Sequence, residues 1–240
     1  MGNGEWEAFC ANSWSMPWIL VLLNEVASIS DYVQPLMEFL ASLPRDERVI
    51  LFGHSYAGIC ISLAMESFPE RIQVAVFLTA YMPHYNSPPG VLIQEHLGRT
   101  PAESFLDSQY SLNNEPNNTP TANIFGPEYM RIKLYKYCKL EVLFFFNVPR
   151  DLELGNLLIR PTGLFLEDLI NQRLLTQEKY GSVKRVSVVC EEDDVVTEEF
   201  QRWMIQNNPP EVVKTIKGAA HMVMLSKPEE LCHCLEDVAK

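Results

Sequence analysis

The stretch RVILFGHSYAGICISLAM, residues 48–65, restricts the folds open to this chain more than any other. Val49, Ile50 and Leu51 form an apolar run suited to a strand buried on both faces. Beyond Ser55 the apolar residues Ile59, Cys60, Leu63 and Ala64 fall at helical spacing. Gly53, Ala57 and Gly58 are small where a sharp turn brings backbones close. A strand over 48–52, a tight turn and a helix from Tyr56 to about Ser67 are therefore expected. Such a turn holds its serine in strained backbone geometry, with the hydroxyl exposed above a sheet edge, and so presents a nucleophile. The plain alternative is a serine that merely caps a buried helix.

The rest of the chain alternates helix and strand. Ser28-Ile29-Ser30-Asp31 reads as a capping box, followed by a stripe of Val33, Leu36, Met37, Leu40 and Leu43. Pro35 is expected to kink that helix or to lie near its start. Further buried strands are expected at 74–80, 185–190 and 212–216, with a helix over TEEFQRWMIQN between the last two. Ser226-Lys227-Pro228-Glu229 reads as a second capping box, opening a final helix with Leu231, Leu235 and Val238 on one face. Alternating units of this kind predict one α/β domain over residues 1–240, a mostly parallel sheet flanked by helices. Residues from about 83 to 180 break the rhythm and are rich in Pro, Asn and aromatics. They read as a cap inserted over the C-terminal edge of the sheet, where ligands bind in open α/β folds.

A nucleophilic serine needs a base, and the base needs an orienting carboxylate. With a strand–turn–helix serine the chain order is serine, acid, histidine. His221, in IKGAAHMVML just after the last expected strand, occupies a loop at the right sheet edge. Asp193 and Asp194, in VVCEEDDVVTEEF after the preceding strand, both suit the acid by position. The other histidines are weaker candidates: His54 is in the turn itself, His84 and His96 are in or near the insertion, and His233 is on the final helix.

A net charge of -12 argues against nucleic acid and against an anionic membrane surface as partner. The six cysteines are scattered through expected helices and strands, which suits reduced thiols in a reducing compartment. Cys232-His233-Cys234 has no second ligand pair at zinc spacing, so no metal is expected. PWILVLL at 17–23 is too short to span a bilayer, and Glu5 and Glu7 stand where a signal peptide wants basic residues. Trp6 stands where a myristoylation site wants Ser or Thr. The sequon at 117–119 would be idle in the cytosol, and a cytoplasmic location is expected.

From about Glu25 onward the chain resembles the plant methylesterase and hydroxynitrile lyase family of α/β-hydrolases. The resemblance is carried by SISDYVQPLMEFLASL, VILFGHSYAG, AVFLTAYMP, RTPAESFLDSQ, FGPEYM, LIRPTGLFLEDL, YGSVKRVSVVCEED, EEFQRWMIQNNPP and IKGAAHMVML. It implies an α/β-hydrolase fold with Ser55 as nucleophile, Asp193 rather than Asp194 as acid, and His221 as base. It implies an oxyanion site using the backbone N–H of Tyr56, and an apolar pocket for which Phe125, Leu164 and Phe165 are the lining candidates. The substrate would be a small-molecule ester or small aromatic acid, with no cofactor, and a homodimer is one assembly the resemblance allows. Cyanohydrin lyases of the family place a lysine after the base; Met222 stands there, which favours ester hydrolysis over the lyase alternative.

Two departures accompany the resemblance. No early strand with a His-Gly loop is legible before Glu25, so the N-terminal strands read as truncated or replaced unless WILVLLN takes a slot beside the 48–52 strand. KLEVLFFFNV at 139–148 is an additional apolar stretch. Since the second oxyanion donor comes from the early loop, its loss would lower kcat about 100- to 1,000-fold. A weakly catalytic homologue that binds small acids is therefore a further alternative.

Overall fold

The computed structural model describes residues 10–11, 26–112, 120–138, 150–171 and 175–240. In chain order the elements are β1 (Cys10–Ala11), α1 (Ile29–Ser42), β2 (Val49–His54), α2 (Ala57–Ser67), β3 (Ile72–Leu78), α3 (Pro89–Arg99), β4 (Gln109–Leu112) and β5 (Pro120–Ile124). They continue with α4 (Pro127–Tyr129), α5 (Arg150–Leu158), β6 (Thr162–Gly163), α6 (Leu166–Asn171), β7 (Lys184–Cys190), α7 (Glu198–Asn207), β8 (Val212–Ile216), α8 (Val223–Ser226) and α9 (Pro228–Ala239).

Five strands form a parallel sheet in the order β1-β2-β3-β7-β8. Both faces are covered, and β3 shows how. Ala75 and Phe77 pack into the core shared with α1 and α2, while Val74, Val76 and Leu78 pack into the core shared with β8 and α9. That alternation is the two-residue period of a strand applied to a sheet buried on both sides. In α2 every residue from Ala57 to Met65 is buried, so its apolar character all round follows from its central position.

The slot beside β2 is held by Cys10–Ala11, which pair with Phe52 and Gly53. The segment 18–24 suggested for that slot and the apolar stretch 139–148 lie outside the described residues. Ser28 caps α1 as expected, its hydroxyl accepting from the Asp31 N–H at 3.1 Å. Pro35 sits inside that helix and not near its start. The second expected capping box does not form. Ser226 closes the short helix α8, its hydroxyl accepting from the Ala220 N–H at 3.4 Å, and the cap position of α9 is Lys227.

Between β3 and β7 the chain makes a second sheet, antiparallel and ordered β4-β5-β6. Residues from this stretch and from the C-terminal ends of β2, β7 and β8 line one common cavity.

Candidate active site

Ser55 follows the last residue of β2 and adopts φ +56°, a left-handed conformation uncommon for any residue but glycine. The strain persists because the turn is held from several sides. Its N–H donates to the Leu78 carbonyl at 3.4 Å, and its carbonyl accepts from Tyr81 N–H and Gly58 N–H at 3.1 Å each. A Cβ on Gly58 would stand 2.2 Å from the Tyr81 carbonyl, so only glycine lets α2 pass the Tyr81 backbone this closely. Tyr56 has helical dihedrals at the head of α2, where the first N–H groups of a helix lack intrahelical partners.

The candidate acid and base lie beyond the ends of β7 and β8. His221 Nδ1 is 2.7 Å from Asp193 Oδ2, and both side chains are buried. Asp193 Oδ2 also accepts from the Thr79 hydroxyl, while Oδ1 accepts from the N–H groups of Val195 and Val196 at 2.7 and 3.0 Å. Burial pushes the Asp193 carboxyl up, but His221, Thr79 and Val195 together outweigh it and hold it below the usual range. An ionised carboxylate surrounded only by donors requires the proton of His221 on Nδ1. Nε2 is then the basic nitrogen of the neutral ring. Asp194 lines the cavity instead and forms an ion pair with Lys136 at 2.7 Å.

The cavity is lined by Ser55, Tyr56 and His221 together with Phe125 and Leu164. Phe165 is placed elsewhere, correcting its expected role as a pocket residue. Its backbone has φ +46°, and its ring centroid lies 5.5 Å from that of Tyr32, beside a separate surface depression.

Four residues beyond those expected enter the site: Thr79, His54, His96 and Tyr81. Thr79, past the end of β3 at φ +38°, supplies the hydroxyl to Asp193. His54 packs against His221 with ring centroids 4.6 Å apart, and its Nε2 lies 2.9 Å from the His221 carbonyl oxygen. A carbonyl only accepts, so His54 Nε2 carries a hydrogen. Burial, with His221 adding to it, pushes His54 down to about 3. His96 Nε2 is likewise 3.0 Å from the Val195 carbonyl, and burial pushes His96 down to about 4. Neutral His96 therefore accepts the Tyr81 hydroxyl on Nδ1. Tyr81 thus holds Ser55 through its backbone and the acid loop through His96. The available signal was topological: in a parallel sheet the residues just past β3 fall beside the end of β2.

A parallel sheet flanked by helices, with a left-handed serine after one strand and a buried Asp–His pair after two others, defines an α/β hydrolase. Residues 19–233 match the model described as the alpha/beta hydrolase family, and the chain belongs to that family. It is 46% identical over 217 residues to methylesterase 10 of Arabidopsis thaliana, covering 90% of this chain and 76% of the relative. Identity to methyl jasmonate esterase 1 of Vitis vinifera is 46% over 220 residues, 91% of this chain and 80% of that one. The crystal structure of polyneuridine aldehyde esterase superposes with a TM-score of 0.81 at 42% identity, covering 91% of this chain and 82% of that chain.

Proposed function

We propose that the protein is a cofactor-free serine carboxylesterase acting on methyl esters of small plant acids, of the salicylate, jasmonate or indole-acetate type. The observation that carries this reading is the buried Asp193–His221 pair, 2.7 Å apart, at a cavity that Ser55 also lines. Ser55 Oγ attacks the ester carbonyl while His221 Nε2 takes its proton. The tetrahedral oxyanion is met by the N–H of Tyr56 at the head of α2. His221 then returns the proton to departing methanol, and water, activated by the same nitrogen, hydrolyses the acyl-enzyme.

Residues 83–180 act in this reading as a cap over one domain, with Phe125 and Leu164 supplying apolar contact to the acyl group. The relatives' names support the substrate class, since one is a methyl jasmonate esterase. Free thiols at Cys60, Cys138, Cys190, Cys232 and Cys234 support a cytoplasmic location.

A fluorophosphonate probe is expected to label Ser55 in the intact protein and nothing in Ser55→Ala. A panel of methyl salicylate, methyl jasmonate and methyl indole-acetate is expected to yield methanol with at least one member. Labelling that survives in Ser55→Ala would remove the assignment.

A further inference from the structure

The sheet β4-β5-β6 sets three hydrogen-bonding side chains in one row. Tyr110 on β4 stands opposite Asn123 on β5, and Asn123 stands opposite Thr162 on β6. Directly opposed residues of antiparallel strands share a face, with Cβ atoms about 5 Å apart. That face looks toward the proposed nucleophile. All three line the cavity with Ser55 and His221, whereas the adjacent Ala122 and Gly163 line the depression on the other side.

Asn123 is the centre of the row. It is 6% exposed, and its side chain lines the cavity between those of Tyr110 and Thr162. Several other polar groups of the cavity are already engaged: the Tyr56 hydroxyl donates to the Leu164 carbonyl at 2.8 Å, Tyr81 pairs with His96, and Asp194 pairs with Lys136. A carboxamide on a cavity wall both donates and accepts, so a ligand oxygen placed against it gains a directed hydrogen bond.

The chemistry of the row selects the ligand group. A carboxamide and two hydroxyls are neutral and both donate and accept. Burial pushes the Tyr110 phenol up to about 12, so it stays uncharged at neutral pH. Among the described residues lining the cavity none is Lys or Arg, and Asp194 is acidic, so a second anionic group on the ligand finds no counter-charge. We infer that Tyr110, Asn123 and Thr162 form a specificity subsite that reads a neutral oxygen function, a ketone or hydroxyl, on the acyl group away from the carbonyl attacked by Ser55. The inference rests on the esterase reading for the identity of the ligand as an acyl ester.

The test uses Ser55→Ala protein, in which no turnover through Ser55 consumes the ester. Dissociation constants are measured for saturated straight-chain methyl esters, each paired with its keto analogue of the same length. At one or more chain lengths the keto ester is expected to bind about tenfold more tightly, the effect of one added hydrogen bond. Asn123→Leu in the same background is expected to bring that ratio close to one. If melting curves show this variant unfolded, Tyr110→Phe with Thr162→Val, which removes both hydroxyls at nearly constant shape, is expected to lower the ratio about threefold or more. Equal binding at every chain length, or a preference untouched in the folded variants, overturns the inference. Fluorophosphonate labelling of the intact protein judges the esterase reading separately. A keto preference without labelling of Ser55 would sink that reading and leave the subsite standing.

Discussion

Asp193 and Asp194 are neighbours in the chain and have different partners: Asp193 is buried 2.7 Å from His221 Nδ1, and the half-exposed Asp194 pairs with Lys136 beside the cavity. The loop after β7 makes the difference, because the N–H groups of Val195 and Val196 fold back onto Asp193 Oδ1. Asp193→Asn is expected to lower kcat about 10,000-fold, since an amide facing Nδ1 favours the tautomer that blocks Nε2. Asp194→Asn removes a partly exposed ion pair at the cavity lining but leaves the Asp193–His221 pair intact, and is expected to lower kcat about tenfold at most. Steady-state kinetics on one methyl ester decides between them. Equal losses would show that the buried pair is not the catalytic one.

Two buried histidines should make the fold acid-sensitive well above the carboxylate range. His54 is pushed down to about 3 and His96 to about 4, mainly by burial. Between those values and the ordinary histidine pKa near 6.5, the unfolded chain binds protons that the folded one refuses. Stability is therefore expected to fall as pH drops below about 6.5, by up to about 1.4 kcal/mol per pH unit for each histidine. Urea denaturation at a series of pH values from 7.5 down to 5 measures the slope. His54→Gln, whose side-chain amide can still donate to the His221 carbonyl, is expected to halve it. A flat profile over this range would contradict the buried neutral assignment.

Gly58 is expected to be irreplaceable by even one methyl group. The added carbon would meet backbone atoms of Tyr81, at 2.2 Å from the oxygen and 2.9 Å from the nitrogen, and backbone cannot rotate aside as a side chain can. Gly58→Ala should destabilise by about 3 kcal/mol or more, at the upper end of overpacking costs. It should also lower fluorophosphonate labelling in whatever protein stays folded, since Tyr81 N–H holds the Ser55 carbonyl. Gly98→Ala is the control, because nothing lies within 4 Å of a Cβ there. Similar melting temperatures for the two variants would refute the close approach.

What the sequence by itself determined is the local backbone around Ser55 and the order of the units. An apolar run, small residues and then helical spacing specify strand, turn and helix within a few residues, because each signal acts over one or two turns of chain. The alternation of strands and helices likewise set the parallel sheet, and placed Ser55 and His221 just past strand ends. Position along the chain left Asp193 and Asp194 equivalent; the family resemblance favoured Asp193, and the loop geometry supplies the physical reason. Tertiary structure alone decided that Thr79 and His96 brace the acid loop, since their partners lie 114 and 99 residues away in sequence. It also turned Phe165 out of the pocket and brought Asn123 into it between Tyr110 and Thr162. Those outcomes depend on how one strand registers against another, a property of packing between segments that no local pattern of residues encodes.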